Sequence, residues 1–351
     1  MRCGALGDMV LLTVLLRALH TRFGTPVDLI CSGSWTGTLL QGQESLGRVF
    51  LLGSRHIPYW LSLRQRRLSA WLKDRGPGPT WFCDMGVGRE LLARGGIPDD
   101  HVCDSIQFPW VPGESFADRY LRLASLTPPG LAGLLPPAVP GTLRAAQLHV
   151  SPAARSSVRG WLERRQLARP FIVIHPGCRH VLRRRLRPRS GTSKYWPEER
   201  WAQVVRAVRK RCPEHAILFT GTGPEARLNA DIIRRAAIAD AHNVAGELRL
   251  PELVALLAQA SSLIGVDTGP AHVAAALGCP TVALFGRADP ALYRPGGATT
   301  PAVALSGVTD GSPSILGITP EAVIAAWNEL TRSAGARHSG AAYRAPEGTA
   351  H

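Results

Sequence analysis

The chain has 351 residues, 41 Lys plus Arg against 26 Asp plus Glu for a formal net charge of +15, and a composition 45% hydrophobic and 19% charged. That is roughly two domains' worth of chain, with apolar residues enough for real cores and no run of about 18 of them, which argues against a disordered chain and against a membrane-spanning one. The excess positive charge calls for an anionic partner: nucleic acid, an anionic membrane surface, or a phosphorylated small molecule or glycolipid.

The seven cysteines are scattered with no CxxC pair, so neither a zinc ribbon nor a disulfide framework is expected, and reduced cytoplasmic thiols are the default. Asp8 interrupts the basic flank of the apolar stretch Met9–Leu16, and no signal peptide is expected. A helix is predicted from Asp8 to Thr21, then strands at Val27–Cys31, Val49–Leu52 and Thr80–Cys83, with a further helix at Tyr59–Lys73. Only Met1–Gly7 precede the first helix, too few for the buried strand that a doubly wound sheet places there. The first strand reads as missing: the favoured reading is a start upstream of Met1, the other a damaged sheet. Six prolines between Thr127 and Pro152 mark a linker, giving a first domain over 1–150.

In the second domain, 151–332, buried-type strands Phe171–Ile174, Ala216–Phe219, Ser262–Val266 and Thr281–Phe285 alternate with helices at Pro197–Lys210, Glu225–Ala237, Pro251–Ala260 and Pro270–Leu277. Strand and helix in alternation mean a parallel sheet with crossover helices. Ile318–Leu330 is a candidate terminal helix, and 333–351 reads as a disordered tail.

The sharpest constellation is Gly265-Val-Asp-Thr-Gly-Pro-Ala-His272, a strand running into a turn and a helix with Pro270 in its first turn. Helix N-terminal amides make an anion site suited to a diphosphate. Asp267 and Thr268 also suit plain helix capping, and His272 also suits a core position. Lys194, in Lys-Tyr-Trp-Pro, stands outside the helix begun near Pro197, where it is either a phosphate contact or a solvated lysine. The loop before it holds Arg179, Arg183, Arg184, Arg185, Arg187 and Arg189 without interleaved aromatics, so nucleic-acid stacking is poorly supported; the loop either guides anions and headgroups or is simply solvated. Glu225, after Gly221-Thr-Gly-Pro, either accepts from ribose hydroxyls or favours the helix dipole. Asp8, in Gly4-Ala-Leu-Gly-Asp8, is a helix-terminal residue or a base.

Taken together and in this order, Gly-Ala-Leu-Gly-Asp8, Lys194-Tyr-Trp-Pro and Val266-Asp-Thr-Gly-Pro-Ala-His272 resemble glycosyltransferase family 9, the lipopolysaccharide heptosyltransferases, from Arg2 to about Asp289. The resemblance implies an α/β GT-B fold of two Rossmann-like domains with parallel sheets facing a cleft, acceptor on the first and nucleotide sugar on the second. It implies no metal and no cofactor, Asp8 as the base, and Lys194 neutralising the leaving diphosphate. It further implies a nucleotide-sugar site from Thr192, Ser193, Glu225, Leu248, Asp267, Thr268, Gly269 and His272, with Leu248 against adenine. The long arginine loop departs from the family pattern and makes residue matching at Thr192 and Ser193 unreliable.

The expected function is inverting transfer of heptose from ADP-heptose to a lipopolysaccharide core or related anionic glycolipid acceptor, in the cytoplasm or peripherally at the cytoplasmic face of the inner membrane, with no nucleic-acid partner. The same fold with another nucleotide sugar, and a noncatalytic nucleotide- or polyanion-binding module, are the alternatives.

Overall fold

A computed structural model describes residues 1–53, 57–84, 88–138, 145–178, 193–296 and 302–338. The first half holds α1 (Leu6–Phe23), β1 (Val27–Cys31), α2 (Thr36–Leu39), β2 (Leu46–Leu51), α3 (Leu63–Arg75), β3 (Thr80–Phe82), α4 (Gly88–Arg94), β4 (Val102–Asp104) and α5 (Phe116–Ser125). The second holds α6 (Pro152–Arg164), β5 (Phe171–His175), α7 (Glu198–Arg211), β6 (Ala216–Phe219), α8 (Ala226–Ala236), β7 (Ala241–Asn243), α9 (Leu250–Leu257), β8 (Ser262–Val266), α10 (Gly269–Ala276), β9 (Thr281–Leu284), α11 (Pro290–Tyr293), β10 (Ala302–Leu305) and α12 (Pro320–His338).

The second half is built on a six-stranded parallel sheet in the order β10-β9-β8-β5-β6-β7. Its strands read as unbroken apolar runs because both faces are covered. Phe171, Val173, Leu218 and Leu263 face a core shared with α1, α6, α9 and α10, while Ile172, Ile174, Phe219 and Ile264 face a second core with Trp201, Ile232 and Trp327. The order reverses between β5 and β8, and the crevice at the carboxyl ends of these two strands is where such sheets bind ligands.

The first half has the same plan in shortened form. β1 pairs in parallel with β2, and β3 with β4. Between the two pairs lies the extreme N-terminus. The Met1 amino group donates to the Trp81 carbonyl at 2.6 Å and the Cys83 amide to the Met1 carbonyl at 2.8 Å, the two bonds of a parallel bridge, while the Arg2 amide donates to Ile30 at 3.0 Å. The first strand, expected to be missing, is therefore represented by the stub Met1–Cys3, which joins the pairs into the order β2-β1-stub-β3-β4. Beside the stub is a cavity of about 340 Å³ whose lining includes Leu12, Leu15, Leu16, Leu29 and Trp81.

Helix α1 is buried along nearly its whole length, every residue from Met9 to Leu16 included, so it is a central helix with no solvent stripe. It stops at Gly24, whose φ of +66° gives the left-handed cap. Residues 145 and 147 bond back to α1 through Arg17 and Thr13, and α6 then begins under a Ser151 cap. At the far end α12 runs to His338, past Leu330, so residues 333–338 are helical where the sequence suggested tail; Trp327 anchors it by donating to Ser262 Oγ at 2.9 Å. Among the described residues no helix is long and apolar enough to cross a membrane, and none of the seven cysteines is joined in a disulfide.

Candidate active site

The N-termini of α1 and α10, one from each half, meet. They approach because two glycines face the contact. A Cβ on Gly7 would come within 2.7 Å of His272 Cδ2, and one on Gly269 would overlap Leu6. This contact brings the Asp8 motif and the Asp267–His272 turn to a common place, 259 residues apart in sequence though Asp8 and Asp267 are.

On the second half, Asp267 is buried and organises its neighbours. Lys194 donates to Asp267 Oδ2 at 2.7 Å and to the Asp267 carbonyl, and His272 Nε2 lies 3.5 Å from Asp267 Oδ1. Burial alone would raise the Asp267 carboxyl, but hydrogen bonding from His272 and the Lys194 charge outweigh it and hold the group below the usual carboxylate range. His272 is 5% exposed, and its Nδ1 has no hydrogen-bond partner among the described residues. Thr268 does not cap α10: its hydroxyl donates to Val266 O at 3.1 Å, and among the described residues no side chain accepts from the first turn. The capping reading of Asp267 and Thr268 thus fails here, which leaves an ammonium, an imidazole nitrogen and an uncapped helix end together. The Asp267 carboxylate thus holds the Lys194 ammonium and faces the His272 imidazole.

On the first half, Asp8 sits in the first turn of α1. Its Oδ2 accepts from the Ala5 amide at 2.7 Å, as the helix-terminal reading required, and its Oδ1 from Arg2 at 3.1 Å. Arg2 is fixed in turn by donating to the Cys83 carbonyl at 2.8 Å. A pocket of about 480 Å³ opens beside Arg2, walled by Phe108, Trp110, Phe116, Arg119 and Tyr120. Arg119 stacks 4.1 Å over the Trp110 ring. Tyr293, from the second half, packs on Phe116 with ring centroids 4.8 Å apart and has its phenol pushed up by burial and by the Asp8 charge. Arg2, Tyr120 and Tyr293 were not legible as site residues in the sequence.

Ser193 and Glu225 lie beyond the carboxyl ends of β9 and β5. Ser193 lies over the end of β9, where a Cβ on Gly286 would overlap its carbonyl. Glu225 is buried, and its Oε2 accepts from the Thr222 amide at 2.5 Å and the Thr222 hydroxyl at 2.9 Å, so the helix-terminal reading is realised. Its Oε1 faces Gly177 at the end of β5. Nearby, buried His175 shares a hydrogen bond of 3.0 Å with Thr220, and burial lowers its imidazole pKa. Leu248 is half-buried against the apolar core beside α9. Thr192 and the arginines from Arg179 to Arg189 lie outside the described residues.

The model of "Glycosyltransferase family 9 (heptosyltransferase)" matches residues 139–309, which include Lys194, Glu225 and the Asp267–His272 turn. Over that stretch, just under half of its length, the chain is similar to glycosyltransferase family 9. Lipopolysaccharide heptosyltransferase 3 of Escherichia coli is 29% identical over 167 residues, 47% of this chain and 45% of that protein. The chain thus spans under half the length of that relative. Lipopolysaccharide heptosyltransferase 2 of Salmonella typhimurium is 24% identical over 307 residues, 81% of each. The solved ADP-heptose lipopolysaccharide heptosyltransferase II of E. coli superimposes with a TM-score of 0.67 at 22% identity, over 95% of this chain and 100% of that one. That likeness is one of fold, and this chain has the GT-B architecture: two Rossmann-like halves with parallel sheets.

Proposed function

We propose that this chain is an inverting, metal-independent transferase that moves heptose from ADP-heptose to a lipopolysaccharide core or related anionic glycolipid. The observation that carries the reading is the meeting of Asp8, on α1, with the Lys194–Asp267–His272 cluster beside α10. One half offers a carboxylate beside an aromatic pocket and the other a lysine ammonium beside an uncapped helix end.

In this reading the donor diphosphate lies at the start of α10 between Lys194 and His272, with Ser193 and Thr192 beside it, Thr268 and Gly269 lending backbone amides, Glu225 on the ribose and Leu248 against the base. The acceptor enters the pocket of Trp110, Phe116 and Tyr120. Asp8 takes the proton of the acceptor hydroxyl, the oxygen attacks the anomeric carbon from the face opposite the diphosphate, and the breaking C–O bond leaves its electron pair on ADP. Arg2 holds the Asp8 carboxylate in line. Lys194 meets the charge that develops on the leaving group, where a preorganised cation acts most strongly.

The test is transfer from ADP-heptose, against GDP- and UDP-sugars, to a heptose-deficient core acceptor, with Asp8→Asn alongside. The expected result is transfer from the ADP donor in the presence of a chelator. Asp8→Asn should lower the rate by roughly 10² to 10⁴ while ADP binding is kept. Unchanged transfer by Asp8→Asn would refute the base assignment, and transfer from a different donor would refute the ADP-heptose assignment.

A further inference from the structure

We propose that Ile57–Leu63 together with the outer face of α3 is the surface by which the chain docks on an anionic lipid bilayer. Four large apolar side chains crowd this short stretch and stay in water: Ile57 is 44% exposed, Trp60 71%, Leu61 58% and Leu63 61%. Single exposed apolar residues need no explanation, but a cluster rimmed by polar groups marks an interaction surface.

The cluster is held rigidly. Leu61 and Ser62 amides donate to Pro58 and Tyr59 carbonyls at 3.0 and 3.1 Å, Gln65 Nε2 donates to Ile57 O at 3.1 Å, and Arg94 stacks 4.8 Å over the Tyr59 ring. Tyr59 is thereby anchored inward while Trp60 and Leu61 stand out, so the surface is formed before it meets a partner.

Charge decides which partner. From Ile57 to Lys73 there are Arg64, Arg66, Arg67 and Lys73 and no acidic residue. Arg64, Arg66 and Arg67 are exposed, and none forms an ion pair among the described residues. On α3 the spacing places Leu63, Arg66, Arg67 and Ala70 on one exposed stripe, opposite buried Leu68 and Leu72. An indole flanked by leucines and arginines is the composition that settles at the headgroup level of a bilayer and draws anionic lipid. A second protein copy would bring the same +15 charge to meet it.

The place in the fold matters too. The segment follows the carboxyl end of β2, the same sheet edge at which the Met1–Cys3 stub leads into Asp8. Docking there presents the Asp8 edge to the bilayer, which suits a lipid-linked acceptor; this last consequence rests on the function proposed above, whereas the docking itself does not.

The experiment is flotation of the purified full chain with vesicles of phosphatidylcholine carrying about 30% phosphatidylglycerol, against pure phosphatidylcholine, in rising salt. The wild-type chain should float with the anionic vesicles only, and less so as salt rises. Arg66→Glu with Arg67→Glu should cut partitioning by more than about 25-fold, roughly fivefold for each lost cation, and Trp60→Ser with Leu61→Ser by about tenfold or more. Both pairs should keep the melting temperature and the ADP-induced shift of the wild type. The control Lys210→Glu with Arg211→Glu, equal in charge change but at the C-terminal end of α7 in the second half, should float normally.

Equal flotation of the Trp60/Leu61 variant and the wild type, flotation with neutral vesicles, no flotation at all, or loss in the control pair would each overturn the proposal. So would concentration-dependent dimers that Trp60→Ser abolishes. No sugar enters this assay, so failed heptose transfer with intact flotation would sink the function and spare the docking surface.

Discussion

Replacing Lys194 by methionine separates the two jobs the geometry gives this side chain. In the unliganded chain it pairs at 2.7 Å with Asp267, whose side chain is 8% exposed while that of the lysine is 29% exposed. Breaking a fully buried pair costs about 3–5 kcal/mol, and the partly wet lysine reduces this to about 2 kcal/mol. For a domain of this size that lowers the melting temperature by about 4–8 °C. The sign with pH follows from Asp267, whose carboxyl is held below its usual value of 3.8: its contribution is complete above that value and disappears as pH falls through the lower folded value. The gap between wild type and Lys194→Met should therefore be constant from pH 7 to about 4 and close below it. ADP binding followed by calorimetry should weaken by roughly 10- to 100-fold, the worth of a charge-assisted hydrogen bond to phosphate. An ADP affinity equal to wild type would remove Lys194 from the diphosphate site, and a stability gap unchanged below pH 4 would show that the Asp267 pair is not what the lysine contributes.

The α1–α10 contact makes a second prediction: Gly269→Ala should cost about 1–3 kcal/mol by overpacking against Leu6, and Leu6→Ala in the same chain should restore much of it, a non-additivity readable from chemical denaturation. The buried Met1 amino group makes a third. Burial drives its pKa below the ordinary 8.0, so the unfolded chain holds a proton that the folded chain has released, and stability should climb as pH rises toward 8.0. Buried His175 and half-buried His215 give the same slope only up to 6.5, so the interval from 6.5 to 8.0 reports the amine. Acetylating the Met1 amino group should flatten that interval, and an unchanged slope would refute the buried-amine account.

The second half was legible because each of β5, β6, β8 and β9 is an apolar, β-branched run bounded by turn residues and buried on both faces. In the first half β3 and β4 are three residues each, and the stub is shorter than any periodicity can register; its place as a strand is fixed only by backbone bonds to Ile30, Trp81 and Cys83. Among site residues, Lys194 and Asp267 were both visible from their motifs, yet the ion pair between them spans 73 residues and is a tertiary fact. The aromatic pocket follows the same rule. Phe108, Trp110, Phe116 and Tyr120 stand in a loop and a short helix with no spacing that marks them as one wall, and only the Arg119 and Tyr293 rings and charges bring out their common side.

Both halves carry one strand order, with the first strand central and its carboxyl end at the point where the order reverses. In the second half that end delivers His175 and Gly177, in the first Gly4 and Asp8. A repeat of this kind sets two ligand crevices facing each other, but it does not set the distance between them. That distance is fixed by α1, which is buried against its own sheet and against α10 at once, through Gly7 on His272 and Leu6 on Gly269. A single methyl group at either glycine would move the Asp8 carboxylate relative to the Lys194 ammonium without touching either side chain. In the function proposed above, base and leaving-group cation belong to different halves and ADP needs only the second, so transfer should be more sensitive to these two contacts than ADP binding is.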